Sequence, residues 1–343
     1  MAAETVALPR ASGPVFVDME AAPAWSAAGR LARRMRNRAW QAMVNHLIGR
    51  AARALERGDD AVIAEIALWR RVAARLDGSH AAAMAHEAVR TIGPHTGLPA
   101  PPIPSDWFAP VGGQPRGFIF YVHGGSFAFE RSPVLTRIVA RFAATANARV
   151  FAPNYRLAPE HRCPAAVDDV VDAFRWFRRT WPSEPVVALA DSAGCAVLLA
   201  ALQRLRCEDG DRPNAVLLFS PWVDLALQSW TVVAATLAGT TSSSSLAVAM
   251  MAHLYLGERQ ATDPVASPLY GDFTGFPPML IHASRGDFLY GDAVRLAERV
   301  RDCGGDLTVR QWTEDAHVWE KALTAKADRS IELGAEFIRR HLD

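Results

Sequence analysis

Ser192 lies in the run Ala190-Asp191-Ser192-Ala193-Gly194, after the apolar segment 185–190 and before a stretch of helical composition. A serine at a strand–turn–helix junction is lifted clear of the sheet, and small neighbours let strand and helix cross closely. The chemistry on offer is nucleophilic attack on an acyl carbon. Such a turn usually opens on Gly, and Ala190 adds a methyl there. By itself the pentapeptide serves equally as an ordinary helix start with Asp191 or Ser192 as N-cap.

A second run lies upstream. His123-Gly124-Gly125-Ser126 follows the apolar segment 117–122 directly. A glycine pair after a buried strand can turn backbone N–H groups into a cavity, where acyl transfer needs donors for its oxyanion. Gly124, Gly125 and Ala193 are the candidate donors. Alone, the pair is a strand-ending turn. A serine nucleophile also needs a base, and the base an acid that holds its tautomer. Asp287 follows the apolar segment 278–283, and His317 follows 307–312.

Other residues compete for these roles. Asp224, Asp292 and Asp315 are rival acids. Asp292 sits at a helix start, and Asp315 is too close in sequence to His317 to meet it well. His282 falls inside a strand and reads as a packed core histidine. His86-Glu87 lacks a second His at Arg90, so it is no zinc-binding helix. Cys195 reads as a small buried apolar residue. Glu160 and His161 read as loop-fixing residues, and Tyr155 and Arg156 as braces for the loop after His123.

These residues need a scaffold. Six short apolar runs (117–122, 148–152, 185–190, 215–220, 278–283 and 307–312) alternate with helical segments at 133–146, 164–180, 193–206 and 291–303. Continuous apolar strands between helices imply a mostly parallel, buried sheet. Residues 1–24 read as an irregular arm. Residues 24–77 read as two helices broken at Gly58-Asp59-Asp60, the second capped by an Asp. The Pro- and Gly-rich residues 93–117 read as punctuation. Residues 225–262 interrupt the alternation, with a loop at 240–245 and a helix at 246–256.

Composition narrows the chemistry. The 343 residues carry 37 basic and 36 acidic side chains, net +1, and 50% are hydrophobic. That balance excludes a general nucleic-acid binder and a disordered chain. Only Lys321 and Lys326 are lysines, which argues against a phosphate-binding loop or a Schiff base. The four cysteines form no C-x-x-C pair, so neither a disulfide framework nor a structural zinc site is expected. The segment Arg30 to Arg57 holds eight Arg and one acid. A solvated helix face explains it, and an acidic partner or anionic substrate is the alternative. Neither a signal peptide nor an apolar run of about 20 residues stands out, so a cytoplasmic protein is expected.

Together the motifs resemble the hormone-sensitive-lipase family of carboxylesterases, the bacterial family IV, within the α/β-hydrolases. The matching stretches are His123-Gly124-Gly125, NYRLAPE at 154–160, Asp191-Ser192-Ala193-Gly194, SPWVDL at 220–225, SPL at 267–269, Asp287-x-Leu289 with Asp292, and His317. They run in family order from about residue 86 to the C-terminus. The departures are Ser126, Ala190 and Cys195 at positions where the family usually has glycine.

The resemblance implies an α/β-hydrolase fold, a mostly parallel central sheet flanked by helices and covered by a helical cap. Residues 1–85 would hold the arm and cap, 86–224 and 263–343 the core, and 225–262 the cap's second piece. Ser192 would be nucleophile, His317 base and Asp287 its orienter. Gly124, Gly125 and Ala193 would form the oxyanion hole, with Ser126, Phe127 and Asp191 contacting substrate. The substrate would be a small ester or lactone, with no metal or organic cofactor, and a homodimer is possible for such a relative. The alternatives are a dedicated lactonase, a thioesterase-like release enzyme or a cyclase. A dehydratase and a non-catalytic binder are more distant ones, the latter disfavoured because Ser, Asp and His are all retained.

Overall fold

A computed structural model describes residues 15–19, 46, 49–51, 53–54, 56–81, 89–91, 100–112, 114–208, 211–228, 243–313, 317–321 and 324–343. Their strands are β1 (Val15–Asp18), β2 (Val89–Thr91), β3 (Ser105–Pro110), β4 (Phe118–Val122), β5 (Arg149–Pro153), β6 (Val186–Asp191), β7 (Ala215–Phe219), β8 (Met279–Ser284) and β9 (Leu307–Trp312). The helices are α1 (Asp59–Ala81), α2 (Pro133–Ala146), α3 (Ala165–Thr180), α4 (Gly194–Glu208), α5 (Ser243–Leu256), α6 (Tyr290–Asp302) and α7 (Ala325–Leu342).

The described strands form one nine-stranded sheet in the order β1-β9-β8-β7-β6-β4-β5-β3-β2. All neighbours from β1 to β5 in this order are parallel, and β3 alone runs antiparallel, to β5 on one side and to the edge strand β2 on the other. Strands β4, β6 and β7 are buried on both faces, which is why they read as unbroken apolar runs. Alternate residues of β4 divide between two layers. Phe118, Phe120 and Val122 pack with α3, α4 and α6, while Ile119 and Tyr121 pack with α2 and α7. Helix α4 is buried at nearly every position of its first nine residues, as a helix apolar all round must be.

The order of the sheet decides where a site can form. The chain crosses from β5 on one side of β4 to β6 on the other and then builds outward. The connections after β4 and β6 therefore leave in opposite directions, and a crevice opens at their C-terminal ends. His123-Gly124-Gly125 follows β4, and Ser192 follows β6.

Four expectations need correction. Residues 15–18, inside the expected irregular arm, form β1, paired parallel to β9. The 93–117 punctuation contains β3, whose Trp107 and Phe108 are buried against the sheet. Helix α5 begins at Ser243, so part of the expected 240–245 loop is helical. The helix does start after Gly58, but its N-cap is Gly58 and not an Asp: the Gly58 carbonyl accepts the N–H groups of Ala61 and Val62, and Asp59 and Asp60 lie inside the first turn, where acidic charge favours the helix dipole. Residues 20–45 and 229–242 lie outside the described residues, and with them Arg30 to Arg38. Arg50 pairs with Glu65 of α1 at 2.7 Å.

Helix α4 crosses the end of β4 with no space to spare. A Cβ on Gly194 would collide with the carbonyl oxygens of Val122 and His123. Gly194→Ala is expected to lower the unfolding free energy by about 1–3 kcal/mol, read from urea denaturation.

Candidate active site

Ser192 sits between the last residue of β6 and the first of α4, at φ +51°. Non-glycine residues rarely adopt this region, at a cost of about 1–3 kcal/mol, so the surroundings must hold it. The Ser192 N–H donates to Phe219 O at 2.9 Å, and its carbonyl accepts the N–H groups of Cys195 and Trp222 at 3.0 and 3.1 Å.

Ser192 Oγ lies 2.8 Å from His317 Nε2. On the far side of the ring, His317 Nδ1 is 2.9 Å from Asp287 Oδ2 and 3.2 Å from Oδ1. An ionised carboxylate only accepts, so the Nδ1 proton belongs to this contact and Nε2 turns its lone pair to the serine. Burial alone would push the Asp287 carboxyl up. The neighbouring His317 charge and the hydrogen bonds from His317, the Leu289 N–H and Ser220 outweigh it and hold the carboxyl below its ordinary value. Ser220 also accepts the Val318 N–H at 3.1 Å. Its hydroxyl thus touches both Asp287 and the segment that carries His317. Sequence reasoning gave Ser220 no role, although its place at the end of β7 was the available signal.

Two of the rival acids, Asp292 and Asp224, are engaged elsewhere. Asp292 accepts the N–H groups of Val223 and Asp224 at 2.9 and 3.0 Å, and burial raises it to about 7. Asp224 binds Arg295, Tyr270 and two backbone N–H groups. Asp315 and His86 lie outside the described residues. His282 is a buried core ring, as expected. Cys195 is fully buried, and burial pushes its thiol well up.

The loop after β4 corrects three assignments. The Gly124 N–H donates to Asp191 Oδ1 at 2.9 Å, so it is not free for an oxyanion. Asp191 is itself buried, and the same oxygen accepts the Tyr121 hydroxyl at 2.6 Å. It ties β6 to β4 and does not face a substrate. Phe127 is buried between Tyr255, stacked at 4.0 Å, and Trp222 at 5.1 Å, so it packs the loop and lines no open pocket. The N–H groups of Gly125, Ser126 and Ala193 have no hydrogen-bond partner among the described residues. Gly125, Ser126 and Phe127 all have positive φ, which swings successive N–H groups toward one side.

Several contacts hold this loop. The Tyr155 hydroxyl donates to His123 O at 2.6 Å, and its ring stacks on the imidazole at 4.4 Å. Burial lowers His123 to about 4, so the neutral ring donates from Nδ1 to Gly124 O at 2.7 Å. Arg156 pairs with Asp169 of α3 and braces the next loop along. From α1, Arg70 donates to Ala128 O at 2.7 Å and Ala158 O at 2.8 Å and forms a two-point pair with Glu160. Nothing in the sequence set Arg70 apart from its many arginine neighbours. A polar cleft of about 540 Å³ borders this loop, lined by residues including His123, Arg70 and Arg131. None of Ser192, His317 and Asp287 lines it. Among the described residues no cluster of His, Cys, Asp and Glu could hold a metal ion. No described helix is long and apolar enough to cross a membrane.

Comparison with known proteins agrees with this arrangement. Residues 119–321 match the model of a family with the alpha/beta hydrolase fold. An acetyl-hydrolase of Streptomyces hygroscopicus is 33% identical, the match covering 68% of this chain and 79% of that one. The carboxylesterase/phospholipase LipF of Mycobacterium tuberculosis is 31% identical, covering 64% of this chain and 61% of that one. A crystal structure of a hormone-sensitive lipase from a metagenome library superposes with a TM-score of 0.72 at 28% identity, covering 81% and 92% of the two chains. The chain belongs to the α/β-hydrolase family, and within it to the hormone-sensitive-lipase group of carboxylic ester hydrolases.

Asp191→Ala strands the Tyr121 hydroxyl and the Gly124 N–H, both buried. Each orphaned group costs about 1–3 kcal/mol. Chemical denaturation is expected to show at least one such loss, and Asp191→Asn a smaller one.

Proposed function

We propose that the protein hydrolyses small carboxylic esters by a Ser192–His317–Asp287 triad through an acyl-enzyme. The observation that carries this is the unbroken line of hydrogen bonds from Asp287 through His317 to Ser192. As Ser192 Oγ attacks the ester carbonyl, His317 Nε2 takes its proton. Asp287 then stabilises the imidazolium. The C–O bond to the alcohol breaks, and His317 returns the proton to the leaving oxygen. Water, deprotonated by His317, attacks the acyl-enzyme; the bond from the acyl carbon to Ser192 Oγ breaks, His317 returns the proton to Oγ, and the acid is released.

Charge on the tetrahedral oxygen falls to the N–H groups of Gly125 and Ala193, with Ser126 in place of Gly124. Loss of one such donor typically costs about 10²–10³ in rate. The seat of this loop therefore matters as much as the triad. Two segments outside the core press on it: α1 through Arg70 and α5 through Tyr255. We assign the helical parts of 1–85 and 225–262 to a cap on these contacts, with β1 belonging to the core sheet. The cysteines Cys163, Cys195, Cys207 and Cys303 are free thiols, which fits the reducing cytoplasm.

A panel of p-nitrophenyl esters of increasing acyl length tests the proposal. Turnover is expected to be fastest on short acyl chains, in keeping with the acetyl-hydrolase relative. Ser192→Ala and His317→Ala are expected to abolish it, and Asp287→Asn to lower kcat by about 10⁴. Turnover that survives Ser192→Ala contradicts the mechanism. A folded protein that reacts at Ser192 yet turns over none of the panel would instead be a dedicated acyl-transfer or lactone-forming enzyme.

A further inference from the structure

The segment that carries His317 continues into a carboxylic acid the triad does not use. Glu320 is fully buried in the turn Trp319–Lys321. Its Oε1 lies 2.8 Å from the Ser330 hydroxyl of α7, and Ser330 Oγ lies 2.7 Å from His282 Nδ1 on β8. These three groups form a buried chain behind the active-site histidine. Its two outer atoms, Glu320 Oε2 and His282 Nε2, have no hydrogen-bond partner among the described residues.

The turn is also strained. Val318, next to His317, has φ +48°. A β-branched residue keeps that conformation only where its surroundings hold it. The holding contacts are the Val318 N–H on Ser220 Oγ, the Lys321 N–H on Val318 O at 3.1 Å, the Arg137 guanidinium of α2 on Lys321 O at 3.2 Å, and the Glu320–Ser330 bond. Only the last of these is made by a titratable side chain within the turn.

We propose that Glu320 is a positioning residue for ester hydrolysis: through Ser330 it fastens the strained turn next to His317 to α7 and β8. The inference rests on the triad proposed above. The charged groups around Glu320 favour the neutral form. Burial raises it to about 8, and the carboxylates of Asp287 and Asp191 add to the rise. Arg137 spends its contact on a carbonyl, and Arg310 of β9 acts on His282, which burial lowers to about 3. An ionised Glu320 would keep its bond from Ser330, yet it would be a buried anion beside other carboxylates with no cation paired to it among the described residues; the turn would have to open to hydrate it, and activity would fall.

The sign of the pH effect follows. The folded state keeps this proton while the unfolded chain releases it near the ordinary value of 4.5. The stabilisation is fully present below that value and is lost as pH rises through about 8.

The test measures kcat, KM and thermal midpoint from about pH 6 to about pH 10 for the wild type, Glu320→Gln and Ser330→Ala. Wild-type kcat is expected to fall about tenfold on the alkaline side with KM little changed. Glu320→Gln is expected to lose that limb, and its thermal midpoint to gain on the wild type as pH rises. Ser330→Ala removes the fastening bond, so its kcat is expected to lie below the wild type's at every pH; that bond also favours the ionised form, so the limb is expected to move to higher pH. Superimposable profiles of wild type and Glu320→Gln in both activity and thermal midpoint overturn the proposal, as does an unmoved limb in Ser330→Ala. The thermal comparison needs no turnover, so it judges Glu320 even where the triad proposal fails. Should Glu320→Gln not fold, the position of the Ser330→Ala limb decides.

Discussion

Everything in this site depends on how tightly β6 turns into α4. Ser192 is held at φ +51° because the helix starts almost against the end of β4, where Gly194 leaves no volume for a side chain. The same closeness lets Asp191, one residue before Ser192, reach across to Tyr121 and the Gly124 N–H. A single buried carboxylate thus couples the strand that presents the serine to the loop that would receive the oxyanion. Displacing either strand moves both halves of the chemistry together.

Charge in the site is managed by burial and by placement. Asp287 is a buried carboxylate held below its ordinary value, against burial, by the neighbouring His317. His123 is a buried imidazole kept neutral, which suits its use as a one-way donor to Gly124 O. The N-terminal helix joins this arrangement through Arg70, whose guanidinium satisfies two loop carbonyls and Glu160 at once. A planar five-donor fork suits such a junction better than a lysine ammonium. Helix α1 is therefore bound to the loop it overlies, and the loop's geometry depends on a segment far away in sequence.

Much of this was legible in the residues. Strands β4 to β8 announce themselves as short apolar runs because both faces are buried, β9 alternates with Thr308 and Arg310 half-buried, and Ser192, Asp287 and His317 each stand past the end of such a strand. What escaped had physical reasons. Strand β1 has four residues and β2 three, too short for a periodic signal. Strand β3 ends in Pro110 within a Pro-rich stretch, whose turn residues hide the strand pattern. The donor role of Gly124 failed because a sequence cannot show which N–H a neighbouring carboxylate will take. Phe127 was placed in the substrate pocket because it borders the glycine turn, yet Tyr255 from a distant helix covers it. Ser220, Arg70 and Glu320 matter through contacts made across long sequence separations, and no local pattern marks them.

The central claim is that Ser192 is the nucleophile and His317 its base. Peptide mass spectrometry after treatment with a fluorophosphonate tests this most directly, because such a probe stops at the first covalent step whatever the natural ester. The account predicts one adduct, on the peptide containing Ser192, absent in Ser192→Ala and formed far more slowly in His317→Ala. Modification at another residue, or labelling of His317→Ala at the wild-type rate, would contradict it.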